Sequence, residues 1–315
     1  MGLIMAVVNK FGMLAKRHEH RTGAQTSYGE GYVKPAAFEM PDWTPPKGYA
    51  HSEVPLSQSR GFWLQNQALQ LGEGAGAWVI YHLHGGGYID PFVTKYCDTA
   101  VKYSEHAGGA NVFSLDYRTA PEDPFPAALD DAVEGFEWLL SQGYAADHVI
   151  VCGDSAGGGL ALSLCMRLRE LALPQPAALI LASPAADLAC EGPSYRENLT
   201  CDICFGYYDA ADAPEKPLSA ISVYAGELDV HEPLISPAYG TYEGLPRMLI
   251  QVGGNEMLLS DSQTVAERAR AAGVDVELLV YPEMFHIFYV MTPWLPKSRQ
   301  AWRKIGSYIG ELMEA

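Results

Sequence analysis

Six short apolar runs constrain this chain more than any other feature: Trp78–Leu83, Asn111–Asp116, His148–Cys152, Ala178–Ala182, Arg247–Val252 and Val276–Tyr281. Each is nearly continuous in apolar residues and bounded by turn formers. Between them lie stretches with helical spacing near Thr94–His106, Ala127–Ser141, Ala156–Leu171 and Asp261–Ala272, and a last one at Lys297–Met313. A strand apolar on both faces must be covered on both faces. The alternation therefore predicts an α/β protein with a mostly parallel central sheet flanked by helices. At 315 residues, 48% apolar and 19% charged, the chain is large enough to bury such a core.

Two segments fall outside the alternation. Val33–Pro55 carries prolines at 35, 41, 45, 46 and 55 and reads as an irregular connecting arm. Leu188–Pro233 has little periodicity but contains Phe205, Tyr207, Tyr208 and Tyr224, so it reads as a packed excursion over the C-terminal edge of the sheet, a lid. The expected division is an N-terminal arm over 1–55 contributing to a cap, core over 56–187, a cap insertion over 188–233 and core again over 234–315. The first residues carry no basic region ahead of the apolar run Leu3–Val8, unlike a secretory signal, and Leu3, Val7, Phe11 and Leu14 share one helical face. The expectation is a soluble, cytoplasmic protein. A formal net charge of −17 repels phosphate backbones and anionic lipid, so neither nucleic acid nor a membrane is expected as a partner. Cys152 and Cys165 fit apolar patterns as small hydrophobes, and Cys201 and Cys204 form a lone C-x-x-C without a second pair. No metal or other cofactor is expected.

The chemistry concentrates at "CGDSAGGG". Gly153-Asp154-Ser155-Ala156-Gly157 is a G-x-S-x-G between a strand and a helix, the context in which the turn lifts a serine hydroxyl above a sheet. No lysine follows, so a phosphate loop of the Walker type is excluded. A serine hydroxyl needs a base, and the base needs an orienting acid. His18, His20 and His51 lie in the arm, His106 and His148 border turns, and His82 sits inside a strand pattern. His286, in "YPEMFHIFY", follows the last strand and alone meets the order serine, acid, histidine. For the acid, Glu256 falls in the loop after "RMLIQV" and leads. Asp261 is the runner-up and reads as a helix N-cap, while Asp229 precedes the strand. "YHLHGGGYID" then acquires a use. Attack on a carbonyl creates an oxyanion that needs N–H donors already in place, worth ~3–4 kcal/mol each. A glycine loop after a buried strand, together with the N–H of Ala156, can supply them, with His84 holding the loop in shape.

The chain resembles the hormone-sensitive-lipase-like (bacterial family IV) esterases of the α/β-hydrolase superfamily. The resemblance rests on "HGGGY" (84–88), "DYRTAPEDPFPAALDDA" (116–132), "GDSAGGGLAL" (153–162), "SPAADL" (183–188), "EPLISPAYG" (232–240), "LIQVGGNEMLLSDS" (249–262) and "MFHIF" (284–288). It implies the α/β-hydrolase fold with a helical cap from the arm and the insertion. It also implies Ser155, Glu256 and His286 as catalytic residues and Gly86, Gly87 and Ala156 as oxyanion donors, with His84, Gly85 and Asp154 in support. Two departures stand out: glutamate at 256 where many members carry aspartate, and threonine in "YRTAPE" where leucine is usual.

These residues lead to a serine carboxylesterase acting on small-molecule esters of short acyl chains. Amide cleavage on the same triad is the alternative, and a non-catalytic ligand-binding protein the more distant one. The oligomeric state stays open, a homodimer included. Aromatics of the arm (Tyr28, Tyr32, Phe38, Trp43) and of the excursion (Tyr195, Phe205, Tyr207, Tyr208) are expected to close an acyl pocket over Ser155.

Overall fold

The computed structural model describes residues 9, 12, 15–17, 34–40, 42–68, 78–213, 215 and 218–314. The helix expected across Leu3, Val7, Phe11 and Leu14 and the aromatics Tyr28 and Tyr32 lie outside the described residues. Eight strands, β1 (Tyr49–Pro55), β2 (Arg60–Asn66), β3 (Val79–Leu83), β4 (Asn111–Asp116), β5 (Val149–Asp154), β6 (Ala178–Ala182), β7 (Arg247–Gly253) and β8 (Val276–Tyr281), form one sheet. Their order is β1-β2-β4-β3-β5-β6-β7-β8. The two pairings of β2, with β1 and with β4, are antiparallel, and β4 through β8 run parallel.

Five long helices cover the sheet: α1 (Lys95–His106), α2 (Ala127–Ser141), α3 (Ala156–Glu170), α5 (Leu259–Ala271) and α7 (Pro296–Glu314); α4 (Ser194–Glu197) and α6 (Phe288–Met291) are single turns. Strand alternation divides the core in two. Val79, Tyr81 and Leu83 join α2, α3 and α5 in one apolar cluster, while Ile80, Val112 and Ile180 join α1 and α7 in the other. Every residue of β3, β5 and β6 is buried, as strands covered on both faces must be.

The hairpin β1–β2 corrects the sequence reading, which places Tyr49–Pro55 in an irregular arm. β1 is the outermost strand and only half-buried, so it needs no apolar run, and an edge tolerates proline at its end. Leu56 N donates to Ser59 O at 3.0 Å to close the turn.

Helix α3 lies so close to the sheet that its first turn has no room for side chains. A Cβ on Gly157 would stand 2.1 Å from Leu83 O and 2.5 Å from His84 O, both backbone atoms that cannot move aside. The substitution Gly157→Ala should therefore lower stability by about 3 kcal/mol, the upper end for overpacking a core. Urea unfolding of the variant, read as a shift in midpoint at unchanged slope, checks this.

Candidate active site

Ser155 sits between the end of β5 and the start of α3 with φ 54° and ψ −121°, a left-handed conformation that costs a non-glycine residue on the order of 1–3 kcal/mol. Backbone bonds hold it there: Ser155 N donates to Ala182 O at 2.9 Å, and Ser155 O accepts from Gly158 N at 3.0 Å and Ala185 N at 2.9 Å. Its position at the N-terminus of a 15-residue helix places it where the helix dipole favours negative charge. Ala156, the first helical residue, contributes one of the N–H groups that a helix start leaves without an intrahelical partner.

The glycine loop after β3 is pressed against this turn. A Cβ on Gly85 would fall 2.5 Å from Asp154 Oδ2 and 3.1 Å from Ser155 Cβ. Gly86, Gly87 and Tyr88 follow with φ of 126°, 62° and 61°, a reversal that only glycines adopt without strain in its first two steps. His84 is buried, stacks on Tyr117 at 4.2 Å with an interplanar angle of 8°, and its Nδ1–H donates to Gly85 O at 2.7 Å. Burial, the largest influence on it, lowers its pKa. Tyr117 OH donates to His84 O at 2.7 Å.

Behind the serine, Asp154 accepts from Tyr96 OH at 3.2 Å, and its second oxygen lies 3.7 Å from His82 Nε2. Burial raises the Asp154 pKa, but the nearby His82, Lys95 and His84 together outweigh it and hold the carboxyl below its ordinary range.

Glu256 is fully buried and gathers three loops. Its Oε1 accepts from Ser183 Oγ at 2.7 Å and from Gly253 N at 2.5 Å, and its Oε2 lies 2.6 Å from His286 Nδ1. The carboxylate can only accept, so the His286 proton sits on Nδ1 and leaves Nε2 as the acceptor nitrogen. That Nε2 is buried and has no hydrogen-bond partner, and His286 and Ser155 line the same cavity. The acid and base loops are also tied backbone to backbone, Gly254 N to Tyr281 O at 2.8 Å and Asn255 N to Met284 O at 3.0 Å.

The cavity has a volume of about 440 Å³, and Gly85, Gly86, Asp90, Lys95, Ile203 and Phe205 are among its walls. A second, small apolar slot of about 10 Å³ lies beside Ser155 between Gly87, Tyr88, Phe205, Leu218, Ile221 and Leu258. Thus Ser155, His286, Gly86 and Gly87 converge, with His84, Gly85 and Asp154 directly behind them.

Other expected positions lie elsewhere. Asp229 is on the surface, 2.7 Å from His231 Nδ1. Asp261 is no N-cap: it stands inside the first turn of α5, after Leu258, and its buried Oδ2 accepts from Ala186 N and Asp187 N at 2.9 Å each. The cap reading needs a second correction, because of the described aromatics assigned to the pocket only Phe205 lines it. Phe38 is buried with Phe62 and Phe92, Trp43 Nε1 donates to Asp98 at 2.9 Å, and Tyr195 OH reaches Asp187 O and Asp261 Oδ2 at 3.2 Å. Tyr208 is exposed.

Three contributors were not anticipated from sequence. Ser183 bridges Glu256 and the base loop, accepting from Ile287 N at 3.2 Å. Asn198 Nδ2 donates to Glu256 O at 2.8 Å. Asp202 is buried, accepts from Cys204 N at 2.7 Å and Phe205 N at 3.0 Å, and with its other oxygen from Met257 N at 2.8 Å. Its bond to Cys204 N, two residues on, is the one local signal, an Asx turn. None of the six cysteines is in a disulfide.

The α/β-hydrolase-fold family model matches residues 80–290. An acetyl-hydrolase of Streptomyces hygroscopicus is 39% identical over 73% of this chain and 75% of its own length. The esterase LipU of Mycobacterium tuberculosis is 37% identical over 74% of this chain and 77% of its own. A solved hormone-sensitive lipase from a metagenome library superposes with a TM-score of 0.75 at 36% identity, covering 86% of this chain and 87% of that one. The chain belongs to the α/β-hydrolase family, among its hormone-sensitive-lipase-like esterases. No helix among the described residues is long and apolar enough to cross a membrane.

Asp261 generates a test. Burial first, and the Asp187 charge second, raise its pKa well above the ordinary carboxyl range. A carboxyl that binds its proton more tightly when folded contributes stability that is present in acid and lost as pH rises through the folded-state pKa. Asp261→Asn keeps an acceptor for the two N–H groups without the charge, so its stability should lack that fall. Asp261→Ala leaves both donors unsatisfied and should cost about 1–3 kcal/mol per group at any pH. Denaturant midpoints of the three proteins across pH separate these outcomes.

Proposed function

We propose that the chain is a serine carboxylesterase that hydrolyses esters of short acyl chains, about C2 to C8, without a cofactor. The observation that carries this reading is the buried 2.6 Å contact between Glu256 and His286 Nδ1, which leaves Nε2 as an unpartnered acceptor in the cavity that Ser155 lines. In the proposed reaction His286 Nε2 takes the Ser155 hydroxyl proton as Oγ attacks the ester carbonyl. Glu256 holds the tautomer and stabilises the imidazolium. The N–H groups of Gly86, Gly87 and Ala156 receive the oxyanion. Collapse of the tetrahedral intermediate expels the alcohol, which takes the proton from His286, and leaves an acyl-enzyme on Ser155. Water then repeats the sequence, giving its proton to His286 and releasing the acid.

Ser155→Ala should abolish turnover of p-nitrophenyl butyrate with the fold intact by circular dichroism; a variant retaining near wild-type rates would remove Ser155 from the mechanism. Glu256→Gln should lower kcat by up to ~10⁴-fold, the loss seen when the orienting carboxylate of a serine triad becomes an amide.

The name of one relative, acetyl-hydrolase, favours a small acyl group. The small apolar slot beside Ser155, about 10 Å³, supports a limit on acyl length, since each methylene gains about 0.8 kcal/mol only while it fits. In a series of p-nitrophenyl esters, kcat/KM should rise from acetyl toward butyryl or hexanoyl and collapse at long chains. Efficient cleavage of the palmitoyl ester would overturn the limit.

A further inference from the structure

Lys95 acts on Asp154 only through its charge, as one of several influences that lower that carboxyl's pKa. Lys95 is the first residue of α1, at the end of a 12-residue helix where the dipole opposes a positive charge, and Thr94 before it makes no side-chain cap. The protein carries 38 acidic residues against 21 Lys and Arg, yet Lys95 forms no ion pair among the described residues. Its ammonium lies 5.6 Å from the centroid of the Tyr96 ring. That ring is held by the bond from Tyr96 OH to Asp154 Oδ2, one residue before Ser155. Lys95 lines the 440 Å³ cavity together with Ser155 and His286. Asp90, the carboxylate in the same wall, is engaged in an interaction of its own.

A cation kept at an unfavourable helix end, with no carboxylate among the described residues in direct contact and on a side chain lining the cavity of Ser155, is placed to pair with an anion that arrives with the substrate. We propose that Lys95 is a specificity residue, and that the preferred esters carry a free carboxylate which pairs with its ammonium. The inference rests on the esterase reading above. The carboxylate can belong to the acyl half, as in a half-ester of a dicarboxylic acid, or to the alcohol half, as in an acylated hydroxy acid. Asp90 would repel it from the other part of the wall and so fix which way the substrate lies.

Two matched pairs test this by pH-stat: monoethyl adipate against ethyl hexanoate, and 4-acetoxybutanoate against butyl acetate. The ratio of kcat/KM for the charged over the neutral ester should drop about fivefold or more on Lys95→Gln in one pair, which identifies the half that bears the carboxylate. Lys95→Glu should drop it further, Lys95→Arg should restore it, and about 0.5 M salt should shrink the wild-type ratio toward that of Lys95→Gln. Ratios unchanged in both pairs by Lys95→Gln and Lys95→Glu would overturn the proposal. Calorimetric binding of monoethyl adipate and 4-acetoxybutanoate to Ser155→Ala and to Ser155→Ala/Lys95→Gln reads the same contact without turnover. Weaker binding of one charged ester to the double variant supports the role of Lys95 even if the wild type turns over none of the four esters, and equal binding refutes it.

Discussion

The Glu256 carboxylate is the point on which the site depends. One oxygen takes Ser183 Oγ from the loop after β6 and Gly253 N from the end of β7, and the other takes His286 from the loop after β8. A buried carboxylate without donors is costly, so these three loops are held together by the need to satisfy it. The extra methylene of glutamate relative to aspartate is accommodated because Oε1 has two donors, which leave Oε2 directed at the imidazole. Removing Ser183 would thus disturb the base as well as the acid, since Ser183 also accepts from Ile287 N, the residue after His286.

β3 to β8 announce themselves as apolar runs because helices cover both faces; the limits of β4, β6 and β8 coincide with the sequence reading and those of β3, β5 and β7 differ by at most two residues, whereas β2, buried over Gly61–Leu64, is not among the runs read as strands. β1 was not legible, because an edge strand buries little and its prolines resemble those of a loop. In the site, Ser155, the glycine loop and His286 stand out through local requirements: a turn with no room for Cβ atoms and the chain order of the triad. Ser183, Asn198, Asp202 and the true place of Asp261 did not, since what gives each its role is a partner about 50 to 75 residues away in sequence. A polar residue buried by such a partner looks the same in sequence as one facing water.

Electrostatics divide the interior. Asp154 is held ionised behind the serine by His82, Lys95 and His84 acting against its burial, whereas Asp202 and Asp261 have their pKa values raised, burial being the largest cause in both. Ionisation is thus favoured for the carboxyl at the turn bearing Ser155 and disfavoured for these two carboxyls at the segment 188–233. The acids under that segment act through geometry, accepting backbone N–H groups that would otherwise be buried and unsatisfied.

The bonds from Ser194, Asn198 and Asp202 to the acid loop bear on how molecules pass in and out. Ser194 Oγ reaches Met257 O and Ser260 Oγ, Asn198 reaches Gly254 O and Glu256 O, and Asp202 receives Met257 N. A roof joined in this way to the strand-end that carries the acid is not a door on a hinge. Raising it would pull on Glu256 and on its 2.6 Å contact with His286, so in the reaction proposed above an opened form would be an inactive one. Traffic is best served by the existing mouth of the cavity, with ester going in and alcohol coming out past the same walls.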